Sequence, residues 1–256
     1  MKAFIKLHLK EYVGGKSFIL FGILGGLVTL ILFTAGEVSF ANNPTEEVIS
    51  QFGSQWKFLS IMAGFAAVVV SMGTIEKHRR EKRAELLMLH RLGLERQMLG
   101  LAIGNALVSM LLSAVLAVVL IFVVIFAGAP TSFIGFIAAF LSYLLTAGML
   151  ALMVSVLNVF LPSVVVAVLG VLLVIVGSFH QTIQGMLLNN GQLMGRILAK
   201  VMNILPPLDV FNRLTRSLFF LEFRGGQDLI IFLVYLWLTL TIVFLTAKRA
   251  GRHEKI

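Results

Sequence analysis

The stretch that decides the fold is LGLAIGNALVSMLLSAVLAVVLIFVVIFA, residues 99–127, which contains no charged side chain. It lies within a longer stretch, Gln97 to Gly195, in which Asp, Glu, Lys and Arg are absent over 99 residues. A helix needs about 20 apolar residues to cross the hydrocarbon core of a bilayer, which is about 30 Å thick. The whole chain is 59% hydrophobic and 13% charged, whereas a soluble domain is about 25% charged. The sequence therefore predicts an integral membrane protein.

Turn-forming residues divide the uncharged stretch into three spans. Gly128-Ala-Pro130 and Asn158-Val-Phe-Leu-Pro162 have the composition of turns. Three further apolar runs lie outside the stretch, each bordered by charged residues. The span at 163–179 is short, so a re-entrant hairpin is an alternative there. The sequence predicts one all-α membrane domain over residues 1–256, with six transmembrane helices near 17–36, 58–75, 99–127, 133–157, 163–179 and 229–247.

The distribution of basic residues predicts the orientation of these spans. Six spans place both termini on one side, and that side carries 15 Lys and Arg residues against 6 on the other. Because basic residues accumulate in cytoplasmic loops, both termini are predicted to be cytoplasmic. A cleaved signal peptide would also begin with lysines before an apolar core. The apolar run here is about 19 residues long, beyond the 7–15 of a signal peptide, and this favours an uncleaved span.

Residues 1–15, MKAFIKLHLKEYVGG, are predicted to form a helix that lies in the membrane interface. Lysines recur every fourth residue, with apolar and aromatic side chains between them. The alternation from Ile5 to Lys10 would also suit a strand, and a disordered basic tail is a further alternative. The residues expected to contact the interface are Lys2, Phe4, Lys6, Lys10 and Tyr12.

The loop at 76–97, EKHRREKRAELLMLHRLGLERQ, contains a short apolar stripe after a dense patch of charges. This loop cannot bury such a stripe by itself, so the stripe must cover the ends of the spans or enter a groove of another protein. A solvated loop whose leucines begin the third span is the alternative. The stripe is formed by Leu86, Leu89 and Leu92, with Glu85, His90 and Arg91 as polar contacts and Gly93 as a helix stop.

The segment 180–228 is predicted to carry an external hairpin of two amphipathic helices. In the first, Met194, Ile197, Leu198, Val201 and Leu205 oppose Arg196 and Lys200. Pro206 and Pro207 end this helix, and Asp209 can cap the second. In the second helix, Phe211, Leu214, Leu218 and Leu221 oppose Arg213, Thr215 and Arg216. The hairpin would anchor the chain at the outer leaflet or form a lid over a pathway.

The spans contain no group of catalytic or metal-ligating side chains. No Asp or Glu lies inside any predicted span, which disfavours carriers driven by ions or protons. The chain also has no cysteine. The notable amides at membrane depth are Asn105 and Asn158, which would either hydrogen-bond between helices or line a polar path.

Two local motifs and the layout together resemble a known family. The motifs are Glu85-Leu-Leu-Met-Leu followed by Arg96-Gln-Met-Leu-Gly100, and Leu205-Pro-Pro-Leu-Asp-Val-Phe-Asn-Arg-Leu before the last span. With these, the chain resembles the membrane subunit of ATP-binding-cassette (ABC) transporters of the type-two exporter permease family. The segment Glu85 to Gly93 is also similar to the coupling motif of cell-division and macrolide-exporter permeases. Those have four spans and a large external domain, for which residues 37–56 leave no room.

The resemblance implies a function that depends on a partner. Two permease chains, identical or related, would bind two cytosolic ATPase subunits that hold ATP and Mg, and this chain itself would have no cofactor and no enzymatic activity. The setting would be the bacterial cytoplasmic (inner) membrane, without nucleic acid. The coupling helix that enters the ATPase would comprise Glu85, Leu86, Leu89, His90, Arg91, Leu92, Gly93 and Arg96.

Three functions remain open at this point. The first is export of a hydrophobic or amphipathic substrate, because an uncharged membrane interior would repel bare ions. The second is a non-transporting mechanotransmitter, in which ATP hydrolysis moves the external helices against an envelope partner. The third is a structural or channel-forming membrane protein without an ATPase.

Overall fold

The structure, a computed structural model, describes residues 2–13, 44–80, 93–126, 132–189, 193–219 and 226–252, and single positions at 23, 26, 27 and 87. All regular secondary structure in these ranges is helical. The predicted all-α class is thereby confirmed for the described residues. The helices are α1 (Lys2–Val13), α2 (Pro44–Ser71), α3 (Thr74–Arg80), α4 (Leu94–Phe126), α5 (Phe133–Phe160), α6 (Ser163–Ser178), α7 (His180–Asn189), α8 (Leu193–Met202), α9 (Leu208–Phe219) and α10 (Gly226–Arg252).

Four stretches of helix in the described residues are long and apolar enough to cross a membrane. A fifth span results if α6 and α7 are counted together, although they are bent by 75° at their junction. The short predicted span at 163–179 thus corresponds to a broken span or a re-entrant loop. The predicted span at 17–36 lies outside the described residues except at 23, 26 and 27. The four stretches are Gln55–His78, Leu94–Val118, Phe133–Phe160 and Gly226–Ala250.

The second span extends further in both directions than the predicted 58–75. Lys57 and Glu76, the charged residues on either side of the predicted span, both lie within Gln55–His78. Each charge has a local partner: the Lys57 ammonium lies 4.2 Å from the centroid of the Phe179 ring, and a Glu76 carboxylate oxygen accepts the backbone N–H of Ser163 at 2.8 Å. These contacts stabilise both charges at the two ends of the span.

Close packing of small residues brings α2 and α6 together. A Cβ added to Gly64 of α2 would lie 2.8 Å from Val174, and one added to Gly170 of α6 would lie 2.8 Å from Val68. The two glycines therefore let each helix receive a valine from the other. This reciprocal fit is the small-residue packing by which membrane helices approach closely.

Side-chain contacts identify the two ends of the helical bundle. At one end, Ile75, Met98, Leu101 and Ala247 form a buried cluster, and α1 reaches the same end because the Tyr12 hydroxyl donates to Val70 O at 3.2 Å. We call this the terminal end. At the opposite end, the Trp56 ring lies 5.0 Å from the Tyr143 ring. The helix α1, the C-terminal part of α10 and both flanks of the loop 81–92 therefore lie at the terminal end.

The helix α1 confirms the helical alternative for residues 2–13 over the strand and the disordered tail. Leu9 and Tyr12 pack against a buried cluster formed by α2 and α4. Lys6 and Lys10 are exposed. The side chains of Lys2 and Phe4 lie outside the described residues.

The segment after α6 differs most from expectation. Two helices are present where the hairpin was predicted, but α8 packs chiefly on α7, a helix that the sequence patterns did not indicate, and α9 packs on α5 and α10. Phe211 and Leu214 of α9 are fully buried, and so is Thr215, which was expected on the polar face. The apolar face of α9 therefore fills the interior of the bundle, and the position of both helices at the outer leaflet stays a prediction. Leu221 lies outside the described residues.

Candidate functional site

Most of the predicted docking segment lies outside the described residues. The predicted docking residues outside the described ranges are Glu85, Leu86, Leu89, His90, Arg91 and Leu92. Leu87, which lies between them, is described and is helical. Gly93 precedes α4, and its carbonyl accepts the N–H of Gln97 at 3.2 Å. Arg96 is exposed in the first turn of α4. The structure therefore describes the two flanks of the segment, α3 and the start of α4.

A buried hydrogen bond joins these two flanks. His78 Nε2 of α3 donates to Gln97 Oε1 of α4 at 2.8 Å. Gln97 is fully buried and His78 is 5% exposed. Because the bond lies where water has little access, it holds the entrance and the exit of the loop 81–92 together more firmly than a surface contact would.

Two further side chains connect this region to α5 and α6. The Glu76 carboxylate accepts the Ser163 N–H at the start of α6, where the helix dipole favours a negative charge. Asn158 Nδ2 donates to Ser71 O at 3.0 Å, at the break between α2 and α3. That break is made by Gly73, whose φ of 76° is strained for any other residue. We call His78, Gln97, Glu76 and Asn158 the flank cluster.

A second polar network lies at the opposite end and joins α7, α9 and α10. Arg213 binds both Asp228 carboxylate oxygens at 2.7 Å, and its third contact is Gln181 Oε1 at 2.9 Å. The hydrogen bonds to Asp228 raise the pKa of Arg213, and partial burial opposes them. Asp209 Oδ2 accepts the Gln181 N–H at 2.7 Å. We call Arg213, Asp228, Gln181 and Asp209 the opposite-end network.

The structure places Asp209 differently from the predicted cap of α9. Asp209 lies inside the first turn of α9, where one carboxylate oxygen accepts the N–H of Val210 at 2.8 Å. The other carboxylate oxygen accepts the N–H of Gln181, which lies in the first turn of α7. One carboxylate thus stabilises the starts of two helices, whose positive dipole ends converge on it.

The turn between α8 and α9 is held by residues from α7 and α10. His180 Nε2 donates to Met202 O at 2.9 Å, and the Tyr235 hydroxyl donates to Asn203 O at 2.8 Å. Pro206 and Pro207 are buried there. A Cβ added to Gly177 would lie 2.8 Å from Pro206 O, so the end of α6 also touches this turn. Arg196 and Lys200 of α8 are exposed and lie apart from the network.

The amides at membrane depth bond to neighbouring helices. Asn105 Nδ2 of α4 donates to Ser155 Oγ of α5 at 3.0 Å, and both groups are buried. Asn158 makes the bond to Ser71 described above. These contacts have the geometry that the helix-packing alternative requires.

Reasoning from the sequence alone missed His78, Gln97, Glu76, Gln181 and Asp228. Glu76 and His78 belong to the dense patch of charges in the loop at 76–97, and Gln97 is the first residue of the uncharged stretch. The one available signal was position, since Glu76 and Gln97 are the first and last residues of the predicted docking loop.

The chain matches no known protein-family profile and no curated protein sequence.

Proposed function

We propose that this chain is the membrane-spanning permease subunit of an ABC transporter, driven by a separate cytosolic ATPase. The segment 85–93 would be the coupling helix that enters a cleft of the ATPase, and the terminal end would face the cytoplasm. The exported substrate would be hydrophobic or amphipathic. The observation that carries the proposal is the His78–Gln97 bond, which joins the two flanks of that segment.

A coupling helix must transmit displacement to the spans, and the flank cluster supplies the required connections. A push on α3 reaches α6 through Glu76 and Ser163. It reaches the end of α5 through Ser71 and Asn158, and α4 through Gln97. The helices α4, α5 and α6 would therefore move with α3, because each of these hydrogen bonds would be lost if its partner stayed behind.

The partner is tested by affinity purification of the tagged chain in mild detergent. We expect a cytosolic ATPase to accompany it in a complex of two permease chains and two ATPases, with the mass measured by light scattering. A chain that purifies without a nucleotide-binding protein would favour the structural or channel-forming alternative.

The docking role is tested by Leu89→Asp, with Leu87→Asp as the matched control on the same segment. We expect Leu89→Asp to abolish ATP-driven activity while the chain still inserts, because a buried charge would oppose entry into the ATPase cleft. Leu87 lies off the stripe, so its variant should keep most activity. Unchanged activity in Leu89→Asp would contradict the docking assignment.

The mechanotransmitter remains the alternative, and the opposite-end network favours it. Arg213 and Asp209 connect α7, α9 and α10, so a movement of the spans would reach an exposed surface at that end. Reconstituted vesicles separate the two functions. ATP hydrolysis that rises with an amphipathic peptide or lipid supports export, and hydrolysis that rises only with an envelope protein supports the mechanotransmitter.

A further inference from the structure

The helix α8 presents three different faces. Its buried face consists of Gly195, Ala199 and Met202 and lies against α7. At Gly195, a side chain would collide with the backbone carbonyl of Leu187, so the two helices are in close contact. The other two faces are exposed, and they differ in chemistry.

The first exposed face is apolar and the second is basic. Arg196 and Lys200 lie one turn apart on the basic face, and both are exposed. At 100° per residue, the centres of the three faces are about 120° apart. The apolar face consists of Met194, Ile197, Leu198 and Val201, with exposed fractions between 46% and 65%.

The orientation of α8 is held by the rest of the bundle. His180 and Tyr235 bind the backbone carbonyls at its C-terminal end. The apolar face is therefore presented outward by fixed contacts. Water is an unfavourable environment for so much fixed apolar surface.

We propose that α8 lies in the membrane interface and binds anionic lipid headgroups. Its apolar face would enter the acyl region to a depth of about 5–10 Å, while Arg196 and Lys200 extend toward lipid phosphates. A lipid surface fits better than a protein partner because both charges on α8 are basic, and because its exposed apolar face belongs to a chain with several helices long and apolar enough to cross a membrane. This inference does not depend on the proposed ATPase partnership.

The test uses single cysteines, since the natural chain has none. Ile197→Cys and Lys200→Cys each carry a nitroxide in full-length protein reconstituted into vesicles of zwitterionic lipid with about 30% anionic lipid. Collision with oxygen reports immersion in lipid, and collision with a neutral nickel chelate reports exposure to water. We expect position 197 to favour oxygen and position 200 to favour nickel.

Each other pattern overturns the proposal. Strong nickel collision at both positions would place α8 in water. Protection of position 197 from both reagents would mean that protein covers the apolar face, from a second copy or another partner.

A second experiment tests the role of lipid charge. In purely zwitterionic vesicles, we expect position 197 to lie less deep in the membrane. Arg196→Gln with Lys200→Gln should remove that dependence on lipid charge, and equal depths in both vesicles without these substitutions would overturn the headgroup assignment.

Discussion

The His78–Gln97 hydrogen bond shows how one side-chain contact can join distant parts of this chain. Nineteen positions separate the two residues, and the loop between them contains the predicted docking stripe. Both side chains are polar and buried. In such surroundings a lost hydrogen bond is not replaced by water.

Gln97→Leu tests the importance of this contact. We expect it to lower the free energy of unfolding by about 1–2 kcal/mol, because His78 loses an acceptor in a buried site. Thermal unfolding in detergent measures the change. Gln184→Leu is the matched control, since its bond to Asn203 is exposed, and its effect should stay within about 0.5 kcal/mol. Equal stability losses in the two variants would contradict the expectation that the buried bond of Gln97 stabilises the protein more than the exposed bond of Gln184.

Arg213→Gln removes the central residue of the opposite-end network. The Arg213 side chain is 49% exposed and that of Asp228 is 21% exposed, so solvent screening limits the expected loss to about 1 kcal/mol or less. The pKa of Arg213 is raised in the folded state. The pair of Arg213 and Asp228 therefore stabilises the folded state fully at every pH below the pKa that Arg213 has in the unfolded chain. This stabilisation is lost only at higher pH, in strongly alkaline solution. We expect the same loss at about pH 6 and pH 9 in thermal unfolding, and a loss that appears at only one of them would be contrary to this assignment.

At the scale of the helices, the junction of α6 and α7 lies close against the α8–α9 turn. Gly177 approaches both Leu208 and the carbonyl of Pro206. The junction of α6 and α7 cannot move away from this turn without also losing the hydrogen bonds of His180 and Gln181 at the start of α7. The bend of 75° is therefore held on several sides.

Gly177→Ala tests this helix contact, with Gly185→Ala as the control. A Cβ at position 177 would lie 2.8 Å from Pro206 O, whereas one at position 185 meets nothing within 4 Å. We expect Gly177→Ala to destabilise the protein by about 1–3 kcal/mol through overpacking. Gly185→Ala should be neutral or stabilising by up to about 1 kcal/mol, because alanine favours a helix. Thermal unfolding compares the two, and a stable Gly177→Ala variant would refute the close approach.

Across the whole chain, the two ends of the bundle should lie on opposite sides of the membrane. The terminal end carries Lys10 and Lys248, and the other end carries Lys200, all three exposed. The positive-inside rule predicts that the terminal end faces the cytoplasm.

Single Lys→Cys substitutions at these three positions test the orientation with a membrane-impermeant maleimide. In intact cells we expect labelling of Lys200→Cys only. Lys10→Cys and Lys248→Cys should react after permeabilisation, which also controls for their reactivity. Labelling of Lys248→Cys in intact cells would reverse the predicted topology.

The membrane class and most helices followed from composition and turn residues, because a long uncharged stretch has few stable structures besides helices in lipid. The helix breaks were harder to predict. Gly73 is one of 23 glycines in the chain, and its positive φ sets it apart from the other glycines that the structure describes. The helix α7 was missed because residues 180–189 contain no clear apolar period. The burial of α9 was missed because an amphipathic pattern does not distinguish a lipid surface from a protein interior.

The sequence by itself determined the helical class, the integral-membrane character and the positions of most apolar helices among the described residues, because these depend on local composition and the thickness of a bilayer. Only the tertiary structure decided which polar residues meet. His78 with Gln97, Glu76 with Ser163, and Arg213 with Asp228 are separated along the chain by distances that no local pattern encodes. Their pairing follows from how whole helices pack, because the packing decides which polar groups come within hydrogen-bond distance.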